Sequence, residues 1–451
     1  IGTGGSNVSF DWRVLGFTLA LSILTSMLFG LVPALQSSHA DLSSTLKESS
    51  NRSGTGLRHN KTRALLVTTE MALAVVLLIG AALLIRSFIA IRHANPGFDA
   101  HNVLTMRTLL TGPQFDKPAS VTQVIHEGLR RIRAHSGVEF AAATCCVPLE
   151  DRLRLVFQIA GRPEGPMSGT VAGFTMVSAG YFEAFKIPVL RGRTFTERDD
   201  SGPRVVIINQ ALEKQFWPNS DPLHDQIIIG HESPRQIIGV VGDVRDDALN
   251  RDPRPNLYEL SAQMTDTTLM TDVPWAWVIR IRTAPMSMSS AIQEDLRQAS
   301  GGLPVARVRT MEETVSRSTA TENFNTLVLT IFGCSALLLA AIGIYGLMAY
   351  SVTQRAQEIG IRLALGADSG HIRNMIVFQG LRLALAGLVC GLVAAFGLTR
   401  LIASFLFGVK AWDPLVFFGV PVLLVGVALV AVWLPAMRAS RVDPIHALGY
   451  E

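Results

Sequence analysis

The sequence predicts a membrane α-helical bundle carrying one large α+β extracytoplasmic domain. Three observations predict it. Only 17% of the 451 residues are charged and 49% are hydrophobic, where soluble domains carry roughly 25% charge. Five apolar runs are each long enough to cross a hydrocarbon core of about 30 Å, which takes about 20 helical residues. Lysine and arginine collect in alternate loops between those runs, the pattern that sets membrane orientation. The net charge of +4 is too small to point to nucleic acid.

The chain begins at Ile1, and no charged region with a cleavage site precedes the first run, so that run is not a signal peptide. Val14–Gln36 is uncharged, and 1–36 is expected to be the last transmembrane helix of an earlier, truncated half. The linker 37–63 holds Lys47, Arg52, Arg58, Lys61 and Arg63 and is cytoplasmic on that account. The next span, 64–88, has one charge within Ala64–Ile85, Glu70. Glu70 lies about two turns from Arg63 and is expected at the cytoplasmic interface.

Residues 89–323 then fall outside the membrane and mix strand and helix patterns. Val103–Leu110, Arg204–Ile208, Gln236–Val244 and Trp277–Ile281 read as strands. Val121–Ala134 reads as an amphipathic helix with Val121, Val124, Ile125 and Leu129 on one side, and Ser290–Gln298 and Met311–Thr321 as polar helices. The order points to an α+β domain rather than a doubly wound parallel sheet. Gly and Pro clusters at 161–169 and 251–256 mark loops, and an inserted subdomain is expected near 180–265. Asp243, Asp246 and Asp247 are expected in a solvated turn, and Tyr181, Phe182, Phe185 and Phe195 in the core. Two buried thiols are expected at Cys145 and Cys146 in preference to a vicinal disulfide. The cysteines show no metal-ligand spacing. No GxSxG, HExxH or paired-carboxylate pattern is present, so no catalytic, metal or cofactor site is expected.

The remaining spans are 324–354 and 414–437, both uncharged, and 383–406, where Arg400 lies near one end and snorkels. Between them lie the cytoplasmic segment 355–382, with Arg355, Arg362, Arg373 and Arg382, and the outer loop 407–413, with Lys410. The tail 438–451 carries Arg438 and Arg441 and is cytoplasmic. Gly387, Gly391 and Ala395 form a stripe of small residues, as do Ala336 and Ala340, which lets helices approach closely in lipid. No span holds an ionisable residue near its middle, which argues against a proton- or sodium-driven carrier.

The chain also repeats itself. Pro33-Ala-Leu-Gln-Ser-Ser-His-Ala-Asp41-Leu-Ser-Ser-Thr-Leu46 follows the first span, and Pro435-Ala-Met-Arg-Ala-Ser-Arg-Val-Asp443-Pro-Ile-His-Ala-Leu448 follows the last. Pro, Ala, Ser, Asp and Leu coincide without a gap, as duplication would leave them.

Glu358-Ile-Gly-Ile-Arg-Leu-Ala-Leu-Gly-Ala367 sits between two spans. Ile359 and Leu363 share a helix face, and Glu358 precedes Arg362 by four residues, a pair that supports a helix. Gly366 suits a C-cap, and Asp368 or Ser369 the start of the next helix. Such a helix either rests on the membrane surface or docks in a partner's groove, and spacing alone leaves both open.

The 358–367 segment resembles the EIGIRRALGA signature of MacB/FtsX-type permeases, with Leu363 where Arg is usual. The ending Pro435-Ala436 through Asp443-Pro444-Ile445-His446-Ala447-Leu448 resembles that family's C-terminus. Tyr181-Phe182 through Phe195, and Arg204–Asn209, resemble its periplasmic core domain. The duplicated arrangement is similar to large orphan permeases abundant in Acidobacteria.

The resemblance implies an inner-membrane permease that works by mechanotransmission. A cytoplasmic ABC ATPase dimer grips the short helices, the spans open and close, and the periplasmic domains push substrate outward. The implied partners are the ATPase, the bilayer, a second permease half or identical copy, and a periplasmic adaptor or outer-membrane protein. Glu358, Gly360, Arg362 and Gly366 fall in the ATPase-coupling region. No Gly-Lys dipeptide occurs, so no Walker A loop is present and ATP must be hydrolysed by another polypeptide. Two alternatives follow from the same family: a scaffold permease that activates a cell-wall enzyme, and a lipoprotein-release permease.

Overall fold

The computed structural model describes residues 12–38, 55–150, 153–162, 170–230, 232–365, 367–403 and 406–440. In chain order these form α1 (Trp12–Ser38), α2 (Thr55–Arg92), β1 (Val103–Thr108), α3 (Pro118–Arg133), β2 (Val138–Thr144), β3 (Leu153–Ile159), β4 (Thr170–Val177), α4 (Tyr181–Phe185), β5 (Val189–Gly192), β6 (Val205–Asn209), α5 (Gln210–Phe216), β7 (Gln226–Ile229), β8 (Arg235–Val241), β9 (Asn256–Leu260), α6 (Thr267–Thr271), β10 (Trp275–Ile281), α7 (Ser289–Ala299), β11 (Val305–Thr310), α8 (Met311–Ser318), α9 (Ala320–Gln354), α10 (Ala356–Ala364), α11 (Ser369–Ile402) and α12 (Pro414–Ala439). Most of the linker 37–63 and of the tail 438–451 lies outside the described residues, and with it the second half of each repeat copy. The described chain divides into two compact units.

Among the described residues four helices are long and apolar enough to cross a membrane, over Ala64–Arg92, Asn323–Gln354, Ser369–Ile402 and Pro414–Ala439. The run Val14–Gln36 lies in α1, where the apolar stretch described with its side chains is the shorter Trp12–Leu24. That stretch shows its apolar residues on every side, with Trp12 77% and Phe17 67% exposed.

One unit comprises Ile1–Met71, Ala340–Gly387 and Ala428–Glu451. Small residues set its helix contacts. Gly387 of α11 meets α2 so closely that an added Cβ would stand 2.6 Å from the Met71 Cβ and 2.8 Å from the Thr68 carbonyl oxygen. Gly380 of α11 likewise faces Val432 of α12 and Met348 of α9. Where neither helix gains by leaving lipid, such backbone approach is what the contact rests on. The Glu70 carboxylate lies against Gly343 of α9.

The other unit comprises Ala72–Leu339 and Leu388–Val427 and contains the extracytoplasmic domain. The two-by-two order β11-β1-β10-β2 is antiparallel throughout, with α3 after β1 and α7 after β10. This is a split β-α-β arrangement, in which each half supplies one helix and two strands. Val121, Ile125, Leu129 and Ile132 of α3 are buried with Trp277, Ile292 and Leu296. Pro118 opens α3 in its first turn, where the missing N–H costs no helical bond. Gly128 lets α3 lie against the Trp277 ring, since a Cβ there would stand 2.6 Å from the indole.

The chain between β2 and β10 extends the same sheet through the β2–β4 pairing. Its strands run β4-β3-β7-β8-β6-β9, and β9 pairs back onto β4 in parallel, which closes a ring. Closure leaves those strands no open edge to template aggregation. The expected insertion near 180–265 falls within this stretch. Tyr181, Phe182, Phe185 and Phe195 are buried together with Tyr258 in an aromatic core, with Tyr181 and Phe185 edge to face at 5.1 Å.

Two expectations are corrected. Cys145 and Cys146 are joined as a vicinal disulfide, not held as two thiols. They sit in the turn after β2, where both side chains point into the core and the sulfurs meet. Asp243 and Asp247 are partly buried and partnered rather than free in a solvated turn. Asp243 Oδ1 accepts the Ala211 N–H at 2.7 Å, and the Asp247 side chain is 9% exposed beside Arg254 at 3.3 Å. Asp243 thus meets a backbone donor and Asp247 a guanidinium group.

Candidate functional site

The segment 356–364 forms the short helix α10 between two membrane-length helices. α9 ends at Gln354, the Arg355 N–H still reaches Val352 O at 3.2 Å, and α10 restarts with Ile359 N bonded to Arg355 O at 2.9 Å. Glu358 stands in the first turn and Arg362 in the last, the arrangement that complements the helix dipole. Leu365 N bonds Ile361 O and Ala367 N bonds Arg362 O, which closes the helix C-terminus. Gly366, expected as the cap, lies outside the described residues.

One face of α10 is fully used inside the chain. Ile359 packs with Ile372 and Ile376 of α11 and Ala436 and Ala439 of α12, with Leu363 and Ala367 against the same cluster. Gly360 is also buried. The apolar face foreseen from Ile359 and Leu363 is therefore spent on the protein's own helices and is not available to a membrane surface or a partner. The Pro435–Ser440 part of the C-terminal motif supplies the seat: Ala436 and Ala439 are 0% exposed, and their small side chains admit α10.

Further contacts hold the seat in place. Arg373 of α11 stacks over the Trp433 ring at 5.1 Å, and Arg438 donates to the Tyr345 hydroxyl at 2.9 Å. Arg362 Nη1 also touches the Met375 sulfur at 3.5 Å, tying α10 to α11.

The opposite face is exposed. Glu358 and Arg362 form an ion pair at 2.5 Å with side chains 51% and 48% exposed. Ile361 and Leu365, 43% and 82% exposed, stand one turn apart beside it. Residues 358, 361, 362 and 365 follow i, i+3, i+4, i+7 spacing, so they share one stripe. An exposed i,i+4 pair stabilises a helix by only about 0.3–0.5 kcal/mol. The stripe therefore does little for the fold, while it presents two apolar side chains flanking a charge pair. Of the residues singled out from the sequence, Glu358 and Arg362 share this exposed stripe, Gly360 is buried and Gly366 lies outside the described residues; Ile361 and Leu365 were not singled out. Their signal was present in the second apolar stripe offset by two residues from the first.

Comparison with known proteins follows the same division. Residues 71–299 match the MacB-like periplasmic core domain, and residues 330–444 match the FtsX-like permease C-terminal region. A macrolide export ATP-binding/permease protein, MacB, of Azoarcus sp. is 26% identical over 273 residues, covering 58% of this chain and 40% of that protein. An uncharacterized ABC transporter permease, YknZ, of Bacillus subtilis is 29% identical over 290 residues, covering 61% of this chain and 69% of that one. The chain thus spans less than half the length of the first relative. The crystal structure of the periplasmic region of MacB from Actinobacillus actinomycetemcomitans aligns at 15% identity with a TM-score of 0.34, covering 51% of this chain and 98% of that one.

Proposed function

The chain belongs to the MacB/FtsX-type ABC transporter permeases, with a MacB-like periplasmic core domain and an FtsX-like C-terminal region, and on that premise we propose that it couples a separate cytoplasmic ATPase to its extracytoplasmic domain for efflux of a substrate. The observation that carries this reading is the two-faced helix α10. Its inner face is locked to α11 and α12, and its outer face offers Ile361 and Leu365 beside the Glu358–Arg362 pair.

A groove on an ATPase dimer would take that stripe as a helix-in-groove contact. Because Ile359 fixes α10 to α11, force applied to the outer face reaches α11, which runs unbroken from Ser369 to Ile402. The nucleotide state of the ATPase would bias the helices between two arrangements, and the extracytoplasmic domain would follow. No polar path through the bilayer is needed. The extracytoplasmic domain faces the periplasm across the bacterial inner membrane, a second permease half or identical copy completes the unit, and a periplasmic adaptor or outer-membrane protein receives the cargo.

The test is affinity purification of the full chain from membranes, with and without the Glu358→Ala/Arg362→Ala double change. An ABC ATPase recovered with the parent chain and lost from the double variant supports coupling through α10. Absence of any ATPase from both samples sinks it.

A further inference from the structure

A cavity of about 750 Å³ opens where α2, α9 and α11 reach the extracytoplasmic domain. That volume lies within the ~300–1,000 Å³ typical of ligand pockets. Its walls are apolar: Leu84 and Phe88 from α2, Leu329 from α9, Ile402 from α11, and Phe407 from the following loop. Its rim is polar, with Asn250 and Arg251 from the β8–β9 connection and Asn325 at the head of α9.

One guanidinium group stands at this mouth. Arg251 is in the lining itself, 57% exposed, with the nearest Asp247 oxygen 3.7 Å away. Arg92 stacks over the Phe88 ring at 5.8 Å, and Arg245 over the Phe407 ring at 5.4 Å. Both rings line the cavity, and Arg245 is itself bonded to the Arg251 carbonyl oxygen and lies 3.8 Å from Asp252. Ser87 Oγ accepts the Phe407 N–H at 2.8 Å and pins the loop that forms one wall.

An apolar chamber walled by membrane-crossing helices with a cation at its rim suits a long acyl chain with an anionic head. We propose that this cavity binds an anionic phospholipid from the outer leaflet, with one acyl chain among Leu84, Phe88, Leu329 and Ile402 and the headgroup phosphate at Arg251. The leaflet follows from the orientation given above, and the binding itself does not depend on it. One such cation favours anionic over zwitterionic lipid by about fivefold at a membrane surface.

Native mass spectrometry of the full chain tests this, after delipidation in detergent and addition of dioleoyl-phosphatidylglycerol or dioleoyl-phosphatidylcholine at equal concentration. Detergent removes any dependence on orientation or on an ATPase, so failure here leaves the coupling reading standing. One retained phosphatidylglycerol, favoured about fivefold over phosphatidylcholine, is expected. Leu329→Trp, which fills the chamber, should lower both adducts. Arg251→Ala, on an exposed loop, should keep the adduct and bring the lipid ratio near one. Equal adducts of the two lipids on the parent chain overturn the proposal. So do adducts untouched by Leu329→Trp, which would place the lipid elsewhere on the helices, and so does a lipid-free dimer, which would give the chamber to a second copy.

Discussion

Glu70 of α2 occupies the space that any side chain on Gly343 of α9 would need, with its Cδ 3.1 Å from an ideal Cβ and its Oε2 closer still. The obstacle is the end of a flexible side chain, which can swing. At Gly391 the obstacles are the Val75 Cβ at 2.6 Å and the Ala72 backbone oxygen at 2.8 Å, which cannot. Gly346 has open space within 4 Å. Alanine at these three glycines should therefore rank by cost. Gly391→Ala should lose about 1–3 kcal/mol by overpacking. Gly343→Ala should lose less and be rescued by Glu70→Ala, a coupling that a double-mutant cycle reads directly. Gly346→Ala should be neutral or gain up to about 1 kcal/mol from helix propensity. Melting temperatures in detergent check the order, and equal values for all three variants would contradict it.

The two faces of α10 should separate folding from partner capture. Ile361→Asp and Leu365→Asp sit on the exposed stripe and should leave the melting temperature within about 0.5 kcal/mol of the parent. Both should abolish recovery of an ATPase. Ile359→Asp buries a charge in the cluster with Ile372 and Ile376 and should destabilise by about 3 kcal/mol or more. An Ile361→Asp chain that still recovers the ATPase would move the contact off this stripe.

The Cys145–Cys146 bond is checked by counting thiols. Cys145 is 0% and Cys146 5% exposed, and Cys334 and Cys390 are free. Alkylation of the denatured, unreduced chain should add two labels. Denaturation with reductant should add four. Four labels without reductant would show two thiols instead.

Stability should also depend on pH in a defined window. Glu259 of β9 is 1% exposed, and its Oε1 accepts from Arg235 Nε at 2.6 Å. Burial outweighs the pull of Arg235 and raises the carboxyl from 4.5 to about 7. A raised carboxyl pKa stabilises the fold in its protonated form. That contribution is complete below about pH 4.5 and lost as the pH rises to about 7, by an amount on the order of 1–3 kcal/mol. Asp199 works in the opposite sense. The Arg193 guanidinium holds it at about 2, so its contribution is present above its ordinary 3.8 and lost as the pH falls toward 2. Melting followed by tryptophan fluorescence should weaken between pH 4.5 and 7, and Glu259→Gln should flatten that limb alone. An unchanged slope in Glu259→Gln would assign the titration to another group.

The membrane-length helices were legible because lipid tolerates few charges: four long runs with at most one charge announce themselves. The strands at Val103, Val205, Arg235 and Trp275 and the helices at Pro118 and Ser289 were legible through their apolar spacing. Other features were not, for physical reasons. Ile359, Ile361, Leu363 and Leu365 alternate along the sequence, and only helical rotation of about 100° per residue sorts 359 and 363 inward from 361 and 365 outward. The sequence adjacency of Cys145 and Cys146 does not say whether their side chains turn toward each other. Arg251 and Phe407 are distant in sequence, so the cavity they share appears only once the chain is folded.

The first and last strands of the extracytoplasmic domain, β1 and β11, lie side by side, with Leu104 opposite Thr310 and Thr108 opposite Val305. The chain therefore arrives from α2 and departs toward α9 along one antiparallel ribbon. Domains whose ends emerge together tolerate transplantation, because a host chain meets them at a single point. Another domain with the same paired ends should therefore be accepted in its place.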